Sequence, residues 1–327
     1  MRTTDSERLK QRGSDLKMTN AQRSRLNRVK AVVVEKMKKT IADLPKTKNP
    51  YGLRIIRVAE NGSFSRKTAL RAGSDADIVL LMYHPGMAQT PPKVATVLGT
   101  LLEAVPNSYS PVRKKRAITV REEKQGSDNI RMELDLVPMM TDSKNGKTPW
   151  WFAIDPRGVH RKWVMTSPKG QQEIVGRLRR RAGKLEEQPE DPTALVRVLK
   201  DWRGTFTPDK VPCHLPSYVL EVLVWREYRF HNHVEKNMVK RFNRVLNSLE
   251  IAATKGISFH KTLGEAHKPP NGKVASGSPL LHDPACLSTN LLQHMSSSDL
   301  MWWVKQARKD AAPTRTYEQV FPEEVKG

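Results

Sequence analysis

Val58-Ala59-Glu60-Asn61-Gly62-Ser63-Phe64-Ser65-Arg66-Lys67-Thr68-Ala69-Leu70-Arg71-Ala72-Gly73-Ser74-Asp75-Ala76-Asp77-Ile78-Val79-Leu80-Leu81-Met82 is the stretch on which the reading of this chain turns. An apolar strand runs into a Gly62-Ser63 turn. Twelve residues after Ser63, Asp75 and Asp77 open a second apolar run, Ile78 to Met82. Side chains i and i+2 of a strand share a face. The two carboxylates therefore project side by side from a strand whose remainder is buried. Such a pair is costly unless positive charge sits between its members. A divalent cation is the natural candidate.

A third acid completes the pattern. Asp135 lies mid-run in Met132-Glu133-Leu134-Asp135-Leu136-Val137-Pro138, where a lone aspartate would be anomalous. Three carboxylates on neighbouring strands can hold two Mg2+ (or Mn2+) ions at the ~4 Å spacing used for in-line displacement at phosphorus. Gly62 lets the backbone approach a phosphate closely. The Ser63 hydroxyl and the amides after it can donate to phosphate oxygens. A Gly-Ser pair alone carries no information, and Asp-X-Asp alone is common in surface loops. The combination is specific. The bland alternative is a set of strand-ending acids that bind calcium or nothing.

Bulk properties bound the class. A chain of 327 residues implies about two domains. Lys and Arg number 57 against 34 Asp and Glu, giving a net charge of +23. That excess attracts polyanions, and leaves nucleotides, nucleic acid and an anionic surface all open. The two cysteines, Cys213 and Cys286, make neither a disulfide framework nor a zinc site alone. With no signal-peptide pattern, they point to a reducing, cytoplasmic setting. No apolar run approaches the ~18 residues of a membrane span, so no membrane partner is expected.

Along the chain, residues 1–18 are polar and basic without periodicity, and read as a mobile leader. Thr19 and Gln22 form a capping-box pattern. Leu26, Val29, Val33, Met37, Ile41 and Leu44 then mark one face of a long helix, ended by Pro45. Its other face carries Arg23, Arg25, Arg28, Lys30 and Lys36. That face is either a solvated surface or a dock for a polyanion. Strands follow at 53–59, 75–82, 117–120, 130–137 and 150–154, with a helix over 94–105. From 166 onward the periodicity is helical, with a basic run at Arg177, Arg179, Arg180 and Arg181. The expected fold class is α+β and bilobal. Residues 1–155 form a mixed-sheet catalytic lobe with its N-terminal basic helix, and 156–327 a helical C-terminal lobe.

The arrangement resembles the nucleotidyltransferase superfamily of the DNA polymerase β type, and within it the oligoadenylate synthetase and cGAS/DncV-like (CD-NTase) branch. Gly62 to Arg71 through Ser74-Asp75-Ala76-Asp77 carries the resemblance. So do Leu195-Val196-Arg197-Val198-Leu199-Lys200-Asp201-Trp202, Leu215-Pro216-Ser217-Tyr218-Val219-Leu220-Glu221 and His282-Asp283-Pro284-Ala285. The resemblance covers about residues 50 to 310. It implies a polymerase-β-like fold with a long N-terminal spine helix, and Asp75, Asp77 and Asp135 on metal. It implies Gly62, Ser63 and Lys200 on the donor triphosphate, Tyr218 stacked on the donor base with Ser217 beside it, and Arg197 and Arg66 facing the acceptor. Ser217 stands where the animal synthetases carry a glutamine. No Cys/His insertion of the cGAS zinc-thumb type is present, and His231-Asn232-His233 reads as polarity at a helix boundary, so no zinc is expected. The Trp163 segment looks like the bacterial members.

The activity implied is the joining of ATP and other NTPs, with release of pyrophosphate, into a cyclic or 2′-5′-linked oligonucleotide messenger. The messenger would be read by a downstream receptor in antiviral or anti-phage signalling. Two modes of control follow from the resemblance. Double-stranded RNA could lie across Arg23, Arg25, Arg28, Lys30, Lys36 and Arg179–Arg181, since such RNA is read by shape and phosphate contact. Alternatively the enzyme works without RNA under operon partners, and the terminal Gly327 would suit conjugation of the tail. Competing readings are an RNA 3′-end nucleotidyltransferase of the poly(A)- or CCA-adding type, and a catalytically dead nucleic-acid-binding scaffold.

Overall fold

The computed structural model describes residues 5–70, 75–87, 89–114, 117–121, 133–146, 150–154, 162–166, 170–171, 173, 192–206, 211–230, 237–259 and 279–322. The chain divides into two compact units, one comprising Met18–Pro168 and the other Met1–Lys17 with Lys169–Gly327. Helix α1 (Asp5–Asp15) thus belongs to the second unit, and α2 (Asn20–Asp43) to the first.

The first unit is built on a seven-stranded mixed sheet. Its strands are β1 (Ile55–Asn61), β2 (Asp75–Tyr83), β3 (Ser110–Arg113), β4 (Ile118–Arg121), β5 (Glu133–Thr141), β6 (Trp150–Ile154) and β7 (Lys162–Thr166). The order is β1-β2-β5-β4-β3, with β6 pairing β5 and β7 pairing β6. The β2–β5 pair is parallel and every other pair in this sheet antiparallel. One edge of β5 runs along β2 from Glu133 to Thr141. Its other edge is shared, with β4 over Ile118–Arg121 and with β6 at Met139 and Met140.

The two faces of this sheet differ. Ile78, Leu80 and Met82 of β2, with Leu134, Leu136 and Met140 of β5, join the large core under α2 and α4 (Val94–Ala104). Val79 and Leu81, with Met139 and Trp150, form a smaller cluster on the opposite face. The alternation of strand side chains puts Asp77 on the side of Val79 and Leu81, away from the side packed under α2 and α4.

Helix α2 follows its sequence. Thr19 and Gln22 form a capping box, and Leu26, Val29, Val33, Met37 and Ile41 are buried. Two elements were not foreseen. The chain after the proline break at Pro106 pairs as β3, and the Trp163 segment is β7, whose indole donates to the Pro92 carbonyl at 2.7 Å.

The second unit packs α5 (Pro192–Gly204), α6 (Ser217–Phe230), α7 (Met238–Thr254), the short pair β8 (His282–Asp283) and β9 (Cys286–Asn290), α8 (Ser297–Ala311) and α9 (Tyr317–Val320). Leu199, Trp202, Leu223, Phe242 and Trp303 centre its core. The expected mobile leader is instead helix α1. Leu9 is wholly buried in that core, and the Ser6 hydroxyl caps the Met238 amide at 2.9 Å. The Arg12 guanidinium donates to Asp201 at 2.5 Å. A single apolar anchor gives no periodicity to read, which is why the sequence did not announce this helix. Cys213 and Cys286 are not joined in a disulfide. No helix among the described residues is long and apolar enough to cross a membrane. The expected helix over 174–184, and with it Arg177 and Arg179–Arg181, lies outside the described residues, as do His231–His233 and Gly327.

Candidate active site

The acidic centre arises from strand register. In the parallel β2–β5 ladder Asp77 stands opposite Asp135, and Asp75 opposite Glu133. Asp77 and Asp135 lie on the sheet face of Val79 and Met139, opposite the face that packs under α2 and α4, and Glu133 continues the acidic row on β5. Glu133 escaped the sequence reading, although its i−2 spacing from Asp135 was signal enough. The side chain of Asp75 is outside the described set.

The turn after β1 closes over Asp77. Asn61 is the register partner of Asp77, and the next residue, Gly62, has a φ of +63°, in the left-handed region. A Cβ at Gly62 would lie 1.7 Å from Oδ2 of Asp77. Only the smallest residue fits against this carboxylate. The turn continues as α3 (Gly62–Ser65), whose Ser63 carbonyl accepts from the Thr68 and Ala69 amides at 2.8 and 3.1 Å. Ser63 is half-buried and Arg66 buried.

Asp135 is held from the β4 side. The Lys114 ammonium donates to Oδ1 and Oδ2 at 2.9 Å each, and the Thr119 hydroxyl donates to Oδ1 at 2.6 Å. Thr119 is the register partner of Asp135 on β4. Glu133 accepts from Arg121 Nε at 2.8 Å. Lys114, Thr119 and Arg121 all come from the β3–β4 hairpin. They could not be placed before that hairpin was known.

The donor set fits a hard divalent cation. It is all oxygen, it lies on one sheet face, and the missing Cβ of Gly62 leaves room beside Asp77. Among the described residues no group of three or more His, Cys, Asp or Glu is gathered closely enough to hold a metal. Asp77 and Asp135 would need the Asp75 carboxylate as the third ligand.

The remaining expected contacts belong to the helical unit. Lys200 is buried and paired with buried Glu221 at 2.8 Å. Arg197 is buried, with Nε donating to the Gly13 carbonyl at 2.5 Å and a terminal nitrogen donating to the Thr193 hydroxyl at 3.0 Å. It ties α1 to α5. Gly13 is required at that contact, since a Cβ there would meet the Ala194 carbonyl oxygen at 2.8 Å. Ser217 Oγ accepts from Arg203 at 2.9 Å. Tyr218 is half-buried, and its hydroxyl donates to Oδ1 of Asp283 at 3.1 Å. Asp283 is buried and also accepts from the Ala285 amide at 2.8 Å and from Gln171 at 3.0 Å. The His282-Asp283-Pro284-Ala285 motif thus fixes the tyrosine hydroxyl.

On α2, Arg28 and Lys36 are exposed and Arg23 and Arg25 half-buried. Lys30 is ion-paired with Glu60 of β1.

No protein-family model matches the sequence, and no curated protein matches it. Solved structures do. CdnC of E. coli MS115-1, solved with ATP, matches at a TM-score of 0.65 and 16% identity, over 93% of this chain and 89% of that one. The same protein in a CdnC:HORMA-deltaN complex matches at 0.65 and 16%, over 99% and 98%. The CD-NTase CdnG of Bradyrhizobium diazoefficiens, in complex with GTP, matches at 0.60 and 13%, over 93% and 88%. Vibrio cholerae DncV cyclic AMP-GMP synthase, in complex with the linear intermediate 5′ pppA(3′,5′)pG, matches at 0.57 and 14%, over 96% and 94%. The chain therefore has the α+β fold of these CD-NTases along nearly its whole length.

Proposed function

We propose that this protein is a metal-dependent nucleotidyltransferase that joins NTPs, releasing pyrophosphate, into a cyclic or 2′-5′-linked oligonucleotide messenger. The observation that carries the reading is the Asp77–Asp135 register pair under a Gly62 turn that tolerates no side chain. A surface pair of acids needs no such clearance. The fold shared with CdnC, CdnG and DncV supports the same reaction class.

Asp75, Asp77 and Asp135 would hold two Mg2+ or Mn2+ ions. When bound, such ions lower the pKa of an attacking sugar hydroxyl and neutralise the triphosphate and the pyrophosphate leaving group. The protein's own part is placement. Strands β2 and β5 fix the carboxylates, and the Gly62-Ser63 turn presents its amides and the Ser63 hydroxyl to phosphate oxygens. Lys200 would serve the donor triphosphate by exchanging its pairing with Glu221 for phosphate. Tyr218 would offer its ring to the donor base while Asp283 holds its hydroxyl. Arg66 would serve the acceptor. Arg197 serves the α1–α5 contact in this structure, and would reach the acceptor only by leaving it.

Incubation with the four NTPs and Mg2+ or Mn2+, followed by mass spectrometry, tests the reading. A small oligonucleotide product, formed with release of pyrophosphate, is expected. Label transferred to an added RNA 3′ end, with no small product, would replace this reading by RNA tailing. Parallel arms with double-stranded RNA decide the mode of control. The exposed Arg28 and Lys36 of α2 support an RNA-stimulated enzyme. Equal product without RNA would favour control by a protein partner; CdnC is seen in complex with one, HORMA-deltaN.

A further inference from the structure

We propose that Lys114 is a built-in counterion for Asp135, which a divalent metal must displace in order to bind. The inference rests on the metal reading above and deepens it. Asp77 and Asp135 stand side by side across the β2–β5 ladder, and two adjacent carboxylates repel when nothing positive is near. Beside Asp135 the Lys114 ammonium supplies positive charge, with Nζ at 2.9 Å from both oxygens.

Three features make this contact exchangeable. Lys114 lies beyond the end of β3, where its amide closes the hairpin onto the Ala117 carbonyl at 2.9 Å. Its backbone is therefore fixed while its long side chain is not. The Lys114 side chain is 41% exposed against 14% for Asp135, so the ammonium can turn into water while the carboxylate stays. The Thr119 hydroxyl, at 2.6 Å from Oδ1, keeps Asp135 oriented after the lysine leaves. The charge holds the site ready before metal arrives, and metal affinity is the outcome of a competition. Once released, the ammonium stands beside the metal site as a free cation for a phosphate oxygen.

The test uses Mn2+ alone, without nucleotide, with free Mn2+ followed by electron paramagnetic resonance. Lys114→Met and Lys114→Gln should bind Mn2+ about tenfold more tightly than the unmodified chain, the equivalent of one charge-assisted hydrogen bond. Lys114→Arg should stay close to the original affinity. Metal-free Lys114→Met should melt lower than the unmodified chain, and Mn2+ should raise its melting temperature by the larger increment. A purely structural Lys114 predicts the reverse, because a disoriented Asp135 would bind metal less well. Unchanged or weaker Mn2+ binding by both Lys114→Met and Lys114→Gln overturns the counterion role and leaves the metal site standing. No Mn2+ binding by the unmodified chain or any variant overturns the metal reading, and this inference with it.

Discussion

Asp77 lies directly beside Asp135 across the only parallel ladder of the sheet as described, with Gly62 packed against the Asp77 carboxylate on its other side. The proposed chemistry depends on the permanence of that relationship. Both residues are fixed by strands that are buried on either face beyond the acids, so the carboxylates have little freedom to separate.

Replacing Asp77 by Asn should abolish NTP turnover while leaving the metal-free fold intact. Removing one of two neighbouring like charges relieves repulsion, so the melting temperature without metal should hold or rise. A large fall in the metal-free melting temperature would show that Asp77 is a structural residue.

Gly62→Ala should be nearly as damaging to activity, for a different reason. The new methyl would overlap Oδ2 of Asp77, and the residue would have to keep a φ of +63°. The left-handed backbone alone costs about 1–2 kcal/mol. Thermal melting should register that loss, while metal binding by the displaced Asp77 should fall much further.

Lys200 and Glu221 form a buried pair, so the two single variants and the double variant should behave differently. Lys200→Met leaves Glu221 buried without its cation, which should cost about 3–5 kcal/mol in chemical denaturation. Lys200→Met with Glu221→Leu should recover most of that stability. Weak ATP binding by the recovered double variant would mark Lys200 as a phosphate contact. Normal ATP binding would confine it to the core.

Tyr218 and Asp283 separate ring from hydroxyl. Tyr218→Phe loses one bond to Asp283 and should cost about 1 kcal/mol with little change in KM for NTPs. Tyr218→Ala should raise KM strongly. Asp283→Ala removes the shared acceptor of three donors and should cost about 3 kcal/mol.

His84 gives the sheet unit a pH dependence. Burial lowers its pKa below the ordinary histidine value. Its Nδ1 also accepts from the Gly86 amide at 3.2 Å, a bond that only the neutral ring can make at that atom. The folded state therefore takes up this proton less readily than the unfolded chain. The stability from His84 is fully present above the unfolded value of about 6.5 and declines as pH falls through the lower folded pKa. Melting temperatures between pH 7 and pH 5 should fall less steeply in His84→Asn. Parallel slopes would assign the acid sensitivity elsewhere.

The fold was legible wherever a period could be read. The face of α2 from Leu26 to Ile41 and the apolar run Ile78–Met82 carry their own pattern. The start of β2 at Asp75 could be read because the apolar run that follows it marks a buried strand. What lay hidden depends on partners far apart in sequence. Lys114 meets Asp135 only through the β3–β4 hairpin, and Arg197 meets Gly13 only through α1. Both cations look like solvated helix or loop charges when read alone. The core helix α1, with Leu9 as its one deep anchor, shows why a polar segment can be well packed without showing periodicity.

Helix α1 also sets an order of events during synthesis. Its partners, Ala194, Arg197, Asp201, Met238 and Glu318, all lie in the second half of the chain. At about 5–20 residues per second, the first helix waits on the order of ten to forty seconds for α5 to leave the ribosome. The sheet unit, continuous from Met18 to Pro168, can close in that interval. The helical unit cannot close until the segment from Lys169 onward has joined α1. A nascent or truncated chain would thus display a finished acidic centre long before the helix bearing Lys200 has its brace.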